Sequence, residues 1–231
     1  MVTGILFLHG FSGGPYEVMP FADYIKKHTD WIVEVPTLSG HGDPESLHMA
    51  GYTAQDWLRD AEISFKLLTQ KVDRVFVVGF SMGGVLALHL ASKFKVEKLV
   101  LLSAAMKYIA LPQLMKDIFA IANSALKKTL ADNELFQRYS FKIKNVPIKS
   151  TFEFMKVVKT VKKVLPQITT PTMIVQGAED GIVPASTAFS LFHELQATDK
   201  WLYVSESGKH HICYSEDCKR WFEKIYKLLV Q

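Results

Sequence analysis

A serine flanked by glycines, where a buried strand runs straight into a helix, constrains this chain more than any other feature. The apolar run Val75-Phe76-Val77-Val78 leads without a spacer into Gly79-Phe80-Ser81-Met82-Gly83, and a helical pattern follows at once. A strand that becomes a helix this abruptly holds the turning residue in a strained backbone conformation. The positions two before and two after it must then lack bulk. The pattern predicts that the Ser81 hydroxyl is exposed at the end of the sheet. It also sets Ser81 at a helix N-terminus, where free N–H groups and the positive end of the dipole face any anion formed there. A serine so placed reads as a nucleophile.

The surrounding elements agree. Runs rich in branched and aromatic residues at 5–8, 32–35, 74–78, 99–102, 172–176 and 200–204 read as strands. Helical patterns at 16–28, from Thr53 onward, and at 82–93, 185–195 and 218–230 lie between them. Alternation of this kind predicts an α/β fold, a mostly parallel central sheet with helices on both faces, whose ligands bind beyond the carboxyl ends of the strands. Between Leu102 and Pro171 no strand run appears, only helical periodicity at 111–126 and again at Phe152, Met155, Val158, Val161 and Leu165. We read 106–166 as a small inserted helical cap on a single domain spanning 1–231. Its apolar stripes would cover the sheet domain and line an acyl pocket above Ser81.

A serine hydroxyl needs a histidine to accept its proton, and that histidine needs a carboxylate to fix its tautomer. After the fifth strand run comes Gly177-Ala178-Glu179-Asp180-Gly181. The short Asp180 side chain suits a tight turn and is the preferred acid, with Glu179 as the alternate. After the last strand run the chain reads Ser207-Gly208-Lys209-His210-His211-Ile212, so His210 is the preferred base and His211 the alternate. The His-His pair could also hold a metal, but no second cluster at ligand spacing supports one. A third requirement is a pair of backbone N–H groups for the developing oxyanion. The glycine-rich stretch His9-Gly10-Phe11-Ser12-Gly13-Gly14 follows the first strand run. It allows the Phe11 N–H to point inward, with the Met82 N–H as second donor and His9 bracing the loop. A phosphate-cradling loop is the lesser fit, because both GxGxxG and the P-loop lysine are missing.

Composition narrows the classes further. At 231 residues, 48% hydrophobic and 22% charged, the chain is an ordinary globular protein with no run long enough to cross a membrane. The first residues read as a strand rather than a leader, and two cysteines are too few for a disulfide framework, so a reduced, cytoplasmic protein is expected. The net charge of +4 is uneven: residues 107–163 hold twelve Lys or Arg against four Asp or Glu, +8, which leaves −4 elsewhere. A solvated lysine-rich face accounts for this, and weak contact with a lipid surface is the functional version. No nucleic-acid partner is expected.

Taken with Leu38-Ser39-Gly40-His41-Gly42 and Asp56-Trp57, these motifs make nearly the whole chain resemble the α/β-hydrolase superfamily. Within it, the small bacterial carboxylesterases and monoacylglycerol lipases are most similar. The order Ser81, Asp180, His210 is that of the superfamily. The resemblance implies Ser81 as nucleophile, Asp180 as acid, His210 as base and Phe11 with Met82 as oxyanion donors. It also implies a cap that shapes the acyl pocket and a structural role for the Gly40-His41-Gly42 turn. Relatives commonly carry Ser-x-His before an apolar pair, whereas Ser207 to Ile212 holds one residue more, and His210 is favoured because Ile212 then takes the second apolar position. The activity expected is serine carboxylesterase chemistry on small-molecule esters of small to medium acyl chains, without metal or organic cofactor. The alternatives are a monoacylglycerol lipase or lysophospholipase at lipid surfaces, and a non-catalytic ligand-binding protein on the same fold.

Overall fold

The computed structural model describes residues 1–43, 45–106 and 146–231. In them six strands form one sheet: β1 (Thr3–Leu8), β2 (Ile32–Glu34), β3 (Arg74–Phe80), β4 (Lys98–Leu102), β5 (Thr172–Gly177) and β6 (Lys200–Ser205). The order is β2-β1-β3-β4-β5-β6 and every pairing is parallel. Because both faces are covered, successive strand residues enter opposite cores. Leu6, Leu8, Val75, Val77, Leu99, Leu101 and Ile174 belong to one core. Ile5, Phe7, Phe76, Val78, Val100, Leu102, Met173 and Val175 belong to the other.

Helices α2 (Ala54–Thr69), α3 (Met82–Lys93), α4 (Ile148–Lys162) and α5 (Ala185–Glu194) contribute to the first core, α1 (Met19–His28) and α6 (Cys218–Val230) to the second. The chain leaves β1 toward one sheet edge and leaves β3 toward the other. The carboxyl ends of these neighbouring strands are therefore the switch point where open parallel sheets bind ligands. The loops after them carry Phe11 and Ser81. None of the described helices is long and apolar enough to cross a membrane.

The strand runs read from sequence all recur as strands, and the helical runs recur with local shifts. The 16–28 pattern divides into a short 3-10 turn at Pro15–Glu17 and α1. Phe152, placed on a helical stripe by its spacing, faces outward: it is 50% exposed on α4. The seam of α4 instead runs through Phe154, Val157, Val158 and Val161. It also buries polar groups that have partners: the Ser150 hydroxyl donates to the Met49 carbonyl at 3.2 Å, and Glu153 accepts the Ala54 N–H at 3.2 Å. Those bonds dock α4 on the N-terminus of α2, a register that apolar spacing alone does not contain. Of the expected cap, the stripe at 111–126 lies outside the described residues, and α4 packs on α2 and α3.

The glycines around Ser81 meet the steric demand of the turn. A Cβ on Gly79 would overlap the Gly83 carbonyl, and one on Gly83 would overlap the Leu8 carbonyl at the end of β1. The first turn of α3 is thus in backbone contact with two strands. Gly83→Ala should destabilise the protein by about 3 kcal/mol, since overpacking here meets main chain that cannot swing aside. Urea unfolding checks this, and a midpoint unchanged from wild type would contradict the close approach.

Candidate active site

Ser81 sits at φ 53° and ψ −115°, a positive φ that a residue with a side chain adopts only under constraint. The constraint comes from β4: the Ser81 N–H donates to the Leu102 carbonyl at 2.9 Å, and the Ala105 N–H donates to the Ser81 carbonyl at 3.2 Å. Held in this way, the serine hydroxyl lies 3.1 Å from His210 Nε2. On the far side of the ring, His210 Nδ1 lies 2.9 Å from Asp180 Oδ2. A carboxylate can only accept, so Nδ1 carries the proton and the neutral ring turns its Nε2 lone pair toward the serine O–H.

Asp180 is positioned by its own loop. Its Oδ1 accepts the N–H groups of Ile182 and Val183 at 2.9 and 2.8 Å, and Oδ2 also accepts Gln176 Nε2 at 3.0 Å. Burial works against its charge, but the His210 hydrogen bond and the two N–H groups outweigh it and hold the carboxyl below its ordinary value. The alternate acid, Glu179, is exposed on the other side of the turn. The alternate base, His211, points away from Ser81 and pairs with Glu17, 3.2 Å from its Oε1. The Glu17 contact and a fourth hydrogen-bond partner of the Asp180 carboxylate, Gln176, are features that no local pattern in the sequence marks.

The loop after β1 and the start of α3 carry the two expected donors. The Met82 N–H opens α3, where no intrahelical acceptor exists. The Phe11 N–H has no acceptor among the described residues. His9 Nδ1 lies 3.0 Å from the Gly10 carbonyl, and its Nε2 accepts the Leu38 N–H at 3.1 Å. The second bond requires a lone pair on Nε2, so the first is an Nδ1–H donated to Gly10. Peptide planarity then sends the Phe11 N–H to the side opposite that carbonyl. The 38–42 turn lies under this loop: the Gly42 N–H donates to the Gly13 carbonyl at 3.1 Å, and Trp57 Nε1 donates to the Ser39 carbonyl at 3.0 Å. The Phe11 ring stacks on Phe154 at 5.3 Å and meets Trp57 edge-on at 5.8 Å.

A deeply buried histidine closes this buttress. His41 Nδ1 is bonded to the Ser39 carbonyl at 3.0 Å, while its Nε2 is buried with no partner among the described residues. Burial, helped by His9, pushes its pKa down to about 4.

A family model described as "Serine aminopeptidase, S33" matches residues 3–217. A thermostable monoacylglycerol lipase of Bacillus sp. (strain H-257) is 28% identical over 219 residues, which span 90% of this chain and 82% of that one. A carboxylesterase of Bacillus subtilis (strain 168) is 22% identical over 227 residues, 97% of this chain and 91% of that one. Among solved structures, one from a study of LipS and LipT, two metagenome-derived lipolytic enzymes, aligns with a TM-score of 0.78 at 21% identity. That alignment covers 98% of this chain and 92% of the other.

The depressed His41 value has a consequence for stability. The unfolded chain takes up a proton near pH 6.5 and the folded one only near 4, so stability is complete above about pH 6.5 and declines as the pH falls toward 4. The loss from this group is about 3 kcal/mol, and His9, also lowered by burial, adds to it in the same direction. Urea unfolding at pH 7.5 and 4.5 should show the decline, and His41→Phe should make it shallower. An equal decline in that variant would count against the assignment.

Proposed function

Because the chain belongs to the serine aminopeptidase S33 family of hydrolases, we propose that it is a serine carboxylesterase acting through an acyl-enzyme. The observation that carries this reading is the hydrogen-bonded series Asp180–His210–Ser81, at 2.9 and 3.1 Å, beyond the carboxyl ends of β5, β6 and β3. Ser81 Oγ attacks the ester carbonyl as His210 Nε2 takes its proton. Asp180 stabilises the imidazolium that results. The carbonyl oxygen, now an alkoxide, accepts the N–H groups of Phe11 and Met82, donors fixed before the reaction and worth about 3 kcal/mol of barrier each. His210 returns its proton to the leaving alcohol. Water then attacks the acyl carbonyl and gives a proton to His210, which passes it to Ser81 Oγ as the acid leaves. The cycle uses neither metal nor organic cofactor. Free Cys213 and Cys218 suit a reducing compartment, in keeping with a cytoplasmic enzyme.

The 28% identity to a monoacylglycerol lipase favours a second reading, in which the same cycle serves monoacylglycerols at a lipid surface. The basic excess across 107–163 suits such a surface. Turnover of monoacylglycerol on anionic vesicles, suppressed by salt and exceeding that of soluble esters, would select it. An aminoacyl amide in the same panel reads the peptidase chemistry that the family's description names.

Ser81→Ala and His210→Ala should each lower kcat/KM on a p-nitrophenyl acyl ester on the order of 10⁴-fold or more. A fluorophosphonate should label Ser81 rapidly in the wild-type protein. Retention of most activity by Ser81→Ala would overturn the mechanism, and wild-type protein that neither labels nor turns over would point to a ligand-binding role.

A further inference from the structure

Glu17 has no part in the cycle above, yet its carboxylate is buried inside the loop that carries the Phe11 donor. The side chain is 4% exposed. Its Oε2 accepts the Gly10 N–H at 2.8 Å, and its Oε1 meets His211 Nε2 at 3.2 Å. The loop is moulded round it: the Glu17 N–H is bonded to the Gly14 carbonyl at 3.0 Å, and a Cβ on Gly13 would overlap the carboxylate. Burial opposes the charge, but the His211 hydrogen bond, the neighbouring His9 and His211 and the Gly10 N–H keep the carboxyl below its ordinary value. A buried anion beneath an oxyanion site is electrostatically adverse, so its position calls for a compensating role.

We propose that Glu17 and His211 form a strap between the donor loop and the loop bearing the base, making Glu17 a positioning residue for the Phe11 N–H. The inference rests on the reading of Ser81, His210 and Phe11 given above. Gly10 has no side chain to restrict its φ and ψ. Two hydrogen bonds do so instead, Glu17 on its N–H and His9 on its carbonyl, and that carbonyl shares a planar peptide with the Phe11 N–H. On the other side, His211 follows His210 directly in the chain. Phe80, the residue before Ser81, has its ring centre 5.0 Å from that of His210 and 5.6 Å from that of His211. One carboxylate thereby joins the segments that supply the donor and the base.

Removing the carboxylate leaves the Gly10 N–H buried and unpaired, which frees the peptide to turn. Removing the imidazole leaves the buried carboxylate without that hydrogen-bond donor. In both cases the damage falls on the alkoxide rather than on the bound ester, so kcat changes and KM does not. Glu17→Gln keeps an acceptor for Gly10, and His211→Gln keeps a donor for Glu17.

The test measures kcat and KM on p-nitrophenyl butyrate for these two variants and for Glu17→Ala and His211→Ala, together with inhibition by an alkylboronic acid, whose serine adduct is tetrahedral. Both alanine variants should lose kcat on the order of tenfold to a hundredfold with KM within about twofold, and should weaken the boronic acid by a like factor. Both glutamine variants should recover most of the loss. If Glu17→Ala does not fold, His211→Ala, which alters the half-exposed partner, carries the test alone. Wild-type kcat in a folded alanine variant, a loss that appears in KM, or a loss that glutamine does not restore would overturn the strap. A loss in His211→Ala as complete as that in His210→Ala would also overturn it, by making His211 the base. Ser81→Ala and His210→Ala run alongside: if they are active, the reading of the site falls, and if they are inactive while Glu17→Ala is unaffected, only the strap does.

Discussion

The positive φ at Ser81 is the constraint on which the carboxyl edge of the sheet depends. Such a conformation costs about 1–3 kcal/mol and persists only where its surroundings over-determine it. Here the determination is made by backbone: β4 grips both the N–H and the carbonyl of Ser81, and Gly83 lets α3 touch the end of β1. The same contact sets the N-terminus of α3 beside the loop that leaves β1. Strain in one residue is therefore spread over the β1–β3–β4 portion of the sheet, from whose carboxyl edge the proposed donors Met82 and Phe11 extend.

Around that point four histidines are differentiated by what each nitrogen faces. His9 has a main-chain donor on one side and a carbonyl on the other, and burial keeps it neutral. His41 has one carbonyl and, among the described residues, an unpartnered nitrogen, and burial keeps it neutral as well. His210 lies between a carboxylate and a hydroxyl, the one arrangement here that favours a neutral ring at rest and a cation during proton transfer. His211 faces a buried carboxylate and no hydroxyl. The chemistry of each ring follows from its partners rather than from its residue type.

This explains how much the sequence disclosed. The strand order along the chain, the turn at Ser81 and the glycine-rich donor loop are local patterns, so periodicity and spacing expose them. The choices between Glu179 and Asp180, and between His210 and His211, turn on which of two neighbours faces inward. Spacing ranked these pairs, while the burial that separates them appears only in the fold. Phe152 fits a helical stripe for a related reason, but docking of α4 through Ser150 and Glu153 selects a different seam. The Glu17–His211 contact joins residues 194 positions apart, and nothing near either one in sequence announces it.

The two donors show why the reading of such a site depends on position more than on residue type. In the proposed cycle what meets the alkoxide is a main-chain N–H, which leaves the side chains of Phe11 and Met82 to packing. Met82 is fully buried in the core under α3, and Phe11 is held in an aromatic group from α2 and α4. A substitution at either position leaves the donor chemically intact and alters only where it points. Sensitivity of catalysis to these side chains is therefore a measure of how firmly the scaffold fixes a peptide plane. On the proposed reading, the groups that hold the Gly10–Phe11 segment from behind, His9 on the Gly10 carbonyl and Glu17 on its N–H, belong to the working site as much as the groups in front of it.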